Sequence, residues 1–72
     1  MSSASKILSQ NVRALRVERG LSQEELAHLS GLDRTYISGV ERGIRNPTIA
    51  VLEKIAAGLS VSAYQLLMPG RI

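Results

Sequence analysis

Apolar residues recur along this chain in five short blocks, each with a capping residue before it or a breaker after it. Ile7, Leu8, Val12 and Leu15 form a stripe at helical spacing that predicts a first helix over about Ser5 to Arg19, with Gly20 free to adopt the left-handed stop. Ser22 and Glu25 have the spacing of a capping box, and Leu21 and Leu26 that of a hydrophobic staple, so a second helix starts at Ser22 and ends near Ser30, before Gly31. A third starts at Asp33, with Leu32 and Ile37 at staple spacing, and ends before Gly43. Thr48 caps a fourth that has Ile49, Leu52, Ile55, Ala56 and Leu59. Ser62, Gln65, Val61 and Leu66 repeat the full entry signature for a fifth, which stops before Pro69-Gly70.

Strand signals are weak: there are two aromatic residues, and no sustained two-residue alternation lies between hairpin turns. The expected architecture is all-α, a compact five-helix bundle. The 72 residues read as one domain, with helices one to four as its core and helix five and the C-terminus as a self-association element.

Composition narrows the function. A core this small is marginally stable, by about 3–5 kcal/mol, and needs tight packing or oligomerisation. With no Cys, disulfides, zinc–cysteine sites and thiol nucleophiles are excluded. No apolar run approaches the ~18 residues of a membrane span, so no membrane partner is expected. The start of the chain lacks the apolar stretch of a signal peptide, which favours the cytoplasm. His28 is the sole histidine and points away from Leu26, Ala27 and Leu29, so neither a metal site nor a catalytic triad is expected. No Gly-rich phosphate loop exists; an enzyme and a cofactor are not expected.

The informative stretch is Gln23 to Arg42. Ala27, mid-helix, lets a neighbouring helix approach closely, and Gly31 follows at the turn. Leu26, Ala27, Ile37 and Val40 face inward across that turn, which is the pattern of a helix-turn-helix. Winding helix three at about 100° per residue puts Tyr36, Ile37 and Val40 on one side and Arg34, Thr35, Ser38, Gly39 and Arg42 on the other, with Glu41 at the border. An Arg suits the O6/N7 edge of guanine, and a Thr methyl suits the thymine methyl.

Leu21-Ser22-Gln23-Glu24-Glu25-Leu26-Ala27, Ser30-Gly31-Leu32-Asp33-Arg34-Thr35-Tyr36-Ile37-Ser38, Glu41-Arg42-Gly43 and Arg45-Asn46-Pro47-Thr48 together resemble the phage-repressor-like helix-turn-helix family (Cro/C1-type, XRE-type). Asp33 to Ser38 is most similar to the controller proteins of restriction–modification systems. The resemblance covers about residues 6–68. It implies a sequence-specific regulator of transcription that binds double-stranded DNA as a homodimer on a palindromic operator. It implies base contacts from Arg34, Thr35 and Ser38. Backbone contacts are implied for Gln23, Arg42, Arg45 and Asn46, and the Tyr36 hydroxyl is in reach of a phosphate. Gly39 falls where some members have a base-reading side chain. Arg16 and Glu41 match an internal ion pair. Activation of a promoter would add RNA polymerase as a partner.

Charge supports a division of labour. The chain has nine Lys+Arg against six Asp+Glu, and eight of the nine basic residues precede residue 55. From Ile49 onward only Glu53, Lys54 and Arg71 are charged. Ala63, Leu66 and Leu67 are therefore expected in a dimer interface, with Ala63 and Leu66 near the two-fold axis. The competing reading is a protein-interaction module, such as an antitoxin-type partner, using the same fold; the arginines of helix three favour DNA.

Overall fold

A computed structural model describes residues 3–70. It has four α-helices, α1 (Ala4–Glu18), α2 (Gln23–Ser30), α3 (Arg34–Glu41) and α4 (Ile49–Gly58), followed by a 3-10 helix over Ala63–Leu67. Among the described residues there is no strand. No helix there is long and apolar enough to cross a membrane.

Local chemistry sets the boundaries. The Ser3 hydroxyl accepts from the Lys6 N–H, so α1 starts one residue earlier than the apolar pattern indicates. At its end Gly20 takes φ 69°, and the Leu21 N–H donates to the Arg16 carbonyl at 3.0 Å. Ser22 and Glu25 close the expected capping box. Asp33 and Thr48 cap α3 and α4.

The fifth expected α-helix is a correction. Residues 63–67 form one short 3-10 piece, despite the Ser62–Gln65 signature. Five residues separate the extended Ser62 from the extended Met68, with Pro69 beyond, too few for two α-turns. The carbonyl of Ser62 accepts from the N–H of Gln65, three residues on.

One core joins all the elements. Leu8, Val12 and Leu15 from α1 meet Leu26 and Ala27 from α2, Ile37 and Val40 from α3, Leu52, Ile55 and Ala56 from α4, and Leu59. At the α2–α4 contact Gly58 lets the helices approach closely: a Cβ there would lie 2.6 Å from the Ser30 Oγ, which would have to move.

Leu66 is a second correction. Placed in an interface between copies by the sequence reading, it is fully buried within one chain, at 0% exposure. The 3-10 helix lies across α1 and α4, which directs Leu66 inward, and it has no surface left for a second copy. Ala63 is half-buried against the core, whereas Leu67 is exposed.

Candidate nucleic-acid interface

The outer face of α3 starts at its cap. The backbone N–H of Thr35 donates to the Asp33 carboxylate at 3.0 Å, and the Thr35 hydroxyl donates to the same oxygen. These two bonds, helped by the Arg34 guanidinium, hold the Asp33 carboxyl below its ordinary range. Arg34 and Thr35 are exposed at the start of the helix and Ser38 is half-buried one turn on.

Behind that face lies a polar lock. The Arg16 Nε donates to Glu41 Oε2 at 2.6 Å and its Nη2 to Glu41 Oε1 at 3.0 Å. Arg16 Nη1 also donates to the Leu21 carbonyl at 2.7 Å. Gln23 Nε2 completes the set with a 3.1 Å bond to Glu41 Oε1. One carboxylate thus ties α1, α2 and α3 together. The side chains of Arg16 and Glu41 are only 14% and 4% exposed, so the pair works with little screening. The hydrogen bond to Glu41 raises the Arg16 pKa above its ordinary value, against the opposing effect of burial.

The Gln23 amide group has two N–H donors. With one directed at Glu41, the second is left to donate elsewhere from the first turn of α2, where Gln23 is half-buried. Sequence reading missed this link, because Gln23 and Glu41 are 18 positions apart.

The end of α3 falls before Gly43, as the sequence indicates, but the chain beyond it turns back on the helix. Gly43 takes φ 76°, and the Ile44 N–H reaches back to the Gly39 carbonyl at 3.0 Å. That turn brings Arg45 back over the helix. Its guanidinium carbon stands 5.7 Å from the centroid of the Tyr36 ring, within cation–π range. Its stem covers Gly39 so closely that a Cβ there would meet the Arg45 Cγ at 2.6 Å. Gly39 is therefore buried rather than open on the outer face. Arg45 thus packs along the Gly39–Tyr36 side of α3 instead of lying wholly beyond the end of the helix. Arg42 and Asn46 are exposed at its margin.

The helix-turn-helix family model matches residues 12–66. The chain belongs to the helix-turn-helix family. A hypothetical transcription factor of Neisseria meningitidis serogroup B is 56% identical over 63 residues, covering 88% of this chain and 59% of that protein. Control protein C.SmaI of Serratia marcescens is 50% identical over 62 residues, covering 86% of this chain and 74% of that one. The helix-turn-helix chain thus spans well under two thirds of the neisserial relative and about three quarters of C.SmaI. Among solved structures, C.Esp1396I bound to a 19 base pair DNA duplex superimposes with a TM-score of 0.82 at 48% identity, covering 90% of this chain and 87% of that chain. Other structures of C.Esp1396I describe it as a restriction–modification controller protein.

Proposed function

We propose that this chain is a sequence-specific transcription regulator that binds double-stranded DNA as a dimer on a palindromic operator, of the restriction–modification controller type. The observation that supports it best is the α3 face: Arg34, Thr35 and Ser38 stand outward on a helix held from behind by the Arg16–Glu41–Gln23 lock. A helix fixed in this way presents its side chains to base edges in the major groove without first having to order itself.

Arg34, Thr35 and Ser38 read bases in this account. The remaining amide N–H of Gln23, with Arg42 and Asn46, meets phosphates, where contacts set position and carry no sequence information. Tyr36 and Arg45 act as a pair: the ring supports the guanidinium, and the Tyr36 hydroxyl is available to the backbone. Binding alone performs the function, with no reaction step, and its place of action in this reading is the cytoplasm, in association with the nucleoid. An operator overlapping a promoter gives repression; contact with RNA polymerase would give activation.

Dimerisation rests on size and surface. The longest extent of the chain is 32 Å, about one turn of DNA, whereas the duplex held by C.Esp1396I is close to two turns long. Two copies with α3 about 34 Å apart would occupy such a site. Ala63 and Leu67 belong to the interface in this reading; Ile49, which shares a groove with Leu67, and Tyr64, which follows Ala63 in the chain, are larger exposed apolar side chains.

The test is selection of binding sites from random-sequence duplexes, followed by titration of the selected site and a scrambled one. Enrichment of an inverted repeat bound far more tightly than the scrambled duplex is the expected result. No enrichment, with equal affinity for all duplexes, would overturn the reading and favour a protein-interaction module.

A further inference from the structure

Asn11 is a buried polar side chain that neither the core nor the reading face explains. It lies on the apolar stripe of α1, between Leu8 and Leu15, at 3% exposure. Its Nδ2 donates to the carbonyls of Leu66 and Met68 at 3.0 Å each, with the Gln65 carbonyl at 3.5 Å. All three acceptors lie at the end of the 3-10 helix, more than 50 positions along the chain.

That segment has little else to define its path. It is a single short 3-10 piece, and its last internal bond, from the Met68 N–H to the Gln65 carbonyl, is 3.4 Å long. Carbonyls at a helix end need partners, and here an amide from α1 supplies them. Leu66, fully buried, and Ala63, half-buried against the core, anchor the segment by their side chains, but neither fixes where the carbonyls of residues 65–68 point. The donor at Asn11 sets that rotation.

The outer side of the same segment is apolar. Tyr64, Leu67 and Met68 are exposed, and Leu67 shares a groove with Ile49 of α4, which is 75% exposed. A groove lined by Leu8, Pro47, Ile49, Leu52 and Leu67 runs next to them. From Ile49 to Gly70 the only charged side chains are Glu53 and Lys54. A surface of this chemistry suits an apolar partner surface of the same kind, and a second copy carries one by symmetry.

We infer that Asn11 is the positioning residue of the self-association surface: its amide holds residues 65–68 in the one register in which Tyr64, Leu67 and Met68 can meet a second copy of this chain. The inference rests on the dimeric reading given above and adds the residue that controls it. Removing the donor leaves the reading face of each chain intact and takes away its ability to pair.

The experiment uses the full chain with Asn11→Asp, which keeps the shape but opposes carbonyl oxygens with carboxylate oxygens, and Asn11→Ala as a second variant should the first fail to fold. Dimer dissociation is followed by sedimentation well below the thermal midpoint. Binding is measured on the operator duplex selected by the wild-type chain and on the same duplex with one half scrambled. The dimer dissociation constant should rise by about tenfold or more. Affinity for the single half-site should stay within about twofold, so that the advantage of the complete site collapses.

A folded Asn11 variant with the wild-type dimer constant would overturn the inference. So would a parallel loss on half-site and complete site that tracks the melting temperature, since that is the mark of a purely structural residue. A wild-type chain that stays monomeric at all concentrations, with and without operator, would overturn the dimeric reading itself and the role of Asn11 with it.

Discussion

Arg16 and Asn11, both on α1, hold two different ends of the molecule. Arg16 grips α3 through a carboxylate, with charge on both partners and Gln23 as a third member. Asn11 grips the 3-10 helix through neutral carbonyls. The reading end is polar, basic on its outside and built on complete, capped helices. The C-terminal end is almost uncharged and built on a piece too short to stand alone. The difference teaches where each end is vulnerable. Breaking a charged lock leaves an unpaired buried charge, which is expensive. Breaking a neutral one leaves carbonyls that can regain water when the segment shifts.

The largest expected effect follows from that contrast. Glu41→Ala leaves the Arg16 guanidinium without its partner and should lower unfolding free energy by about 3 kcal/mol. Asn11→Ala should cost about 1–2 kcal/mol. Urea unfolding of both variants checks the order. Equal losses would show that the charged lock is no more buried in its effect than the neutral one.

The two ends also differ in how far they could be read from the sequence. The starts of α2, α3 and α4 were legible because a cap acts within three residues: Ser22 with Glu25, Asp33 with Thr35, Thr48 with Val51. The helix-turn-helix followed from the inward pattern of Leu26, Ala27, Ile37 and Val40, all of which are buried. The pairing of Arg16 with Glu41 came from family resemblance, since no local rule links residues 25 positions apart. At the C-terminal end the same kind of cap, Ser62 with Gln65, opens a 3-10 helix, because a cap specifies an entry and not the helix type that follows. Leu66 was misplaced because its periodicity could not tell the chain's own core from a partner's. One signal for Asn11 was present: it stands on the Leu8–Leu15 stripe, where a polar residue needs an internal partner.

Gly39 sharpens the comparison within the reading end. Gly39→Ala should favour α3 by up to about 1 kcal/mol through helix propensity. The new Cβ, however, takes the place of the Arg45 Cγ and must push that flexible side chain off Tyr36. Stability should stay level or rise while operator affinity falls by about 1 kcal/mol. Thermal melting and a DNA titration on the same sample check this. Lower stability with unchanged affinity would show that the place of Arg45 over α3 has no bearing on binding.

Acid should give the smallest effect, and again at the reading end. Hydrogen bonds from Thr35 hold the Asp33 carboxyl below its ordinary range, and those from Ser22 do the same for Glu25. Their stabilisation is complete above about pH 5 and is lost as pH falls from about 4 through the lowered folded-state values. Asp33→Asn should flatten the acid limb of a stability–pH profile. An unchanged profile would show that the cap of α3 does not titrate with folding.

The claim on which everything else depends is that the outward face of α3 reads sequence. Arg34→Ala tests it most directly, in a titration against the preferred duplex and against duplexes with single guanines replaced, at several salt concentrations. The account predicts a loss of about 1–3 kcal/mol on the preferred duplex and a narrowed gap to the duplex whose guanine is replaced. Arg42→Ala should instead weaken all duplexes alike and lower the log-salt slope by about one. Equal weakening of every duplex by Arg34→Ala would make Arg34 a phosphate contact and contradict the assignment of the reading face.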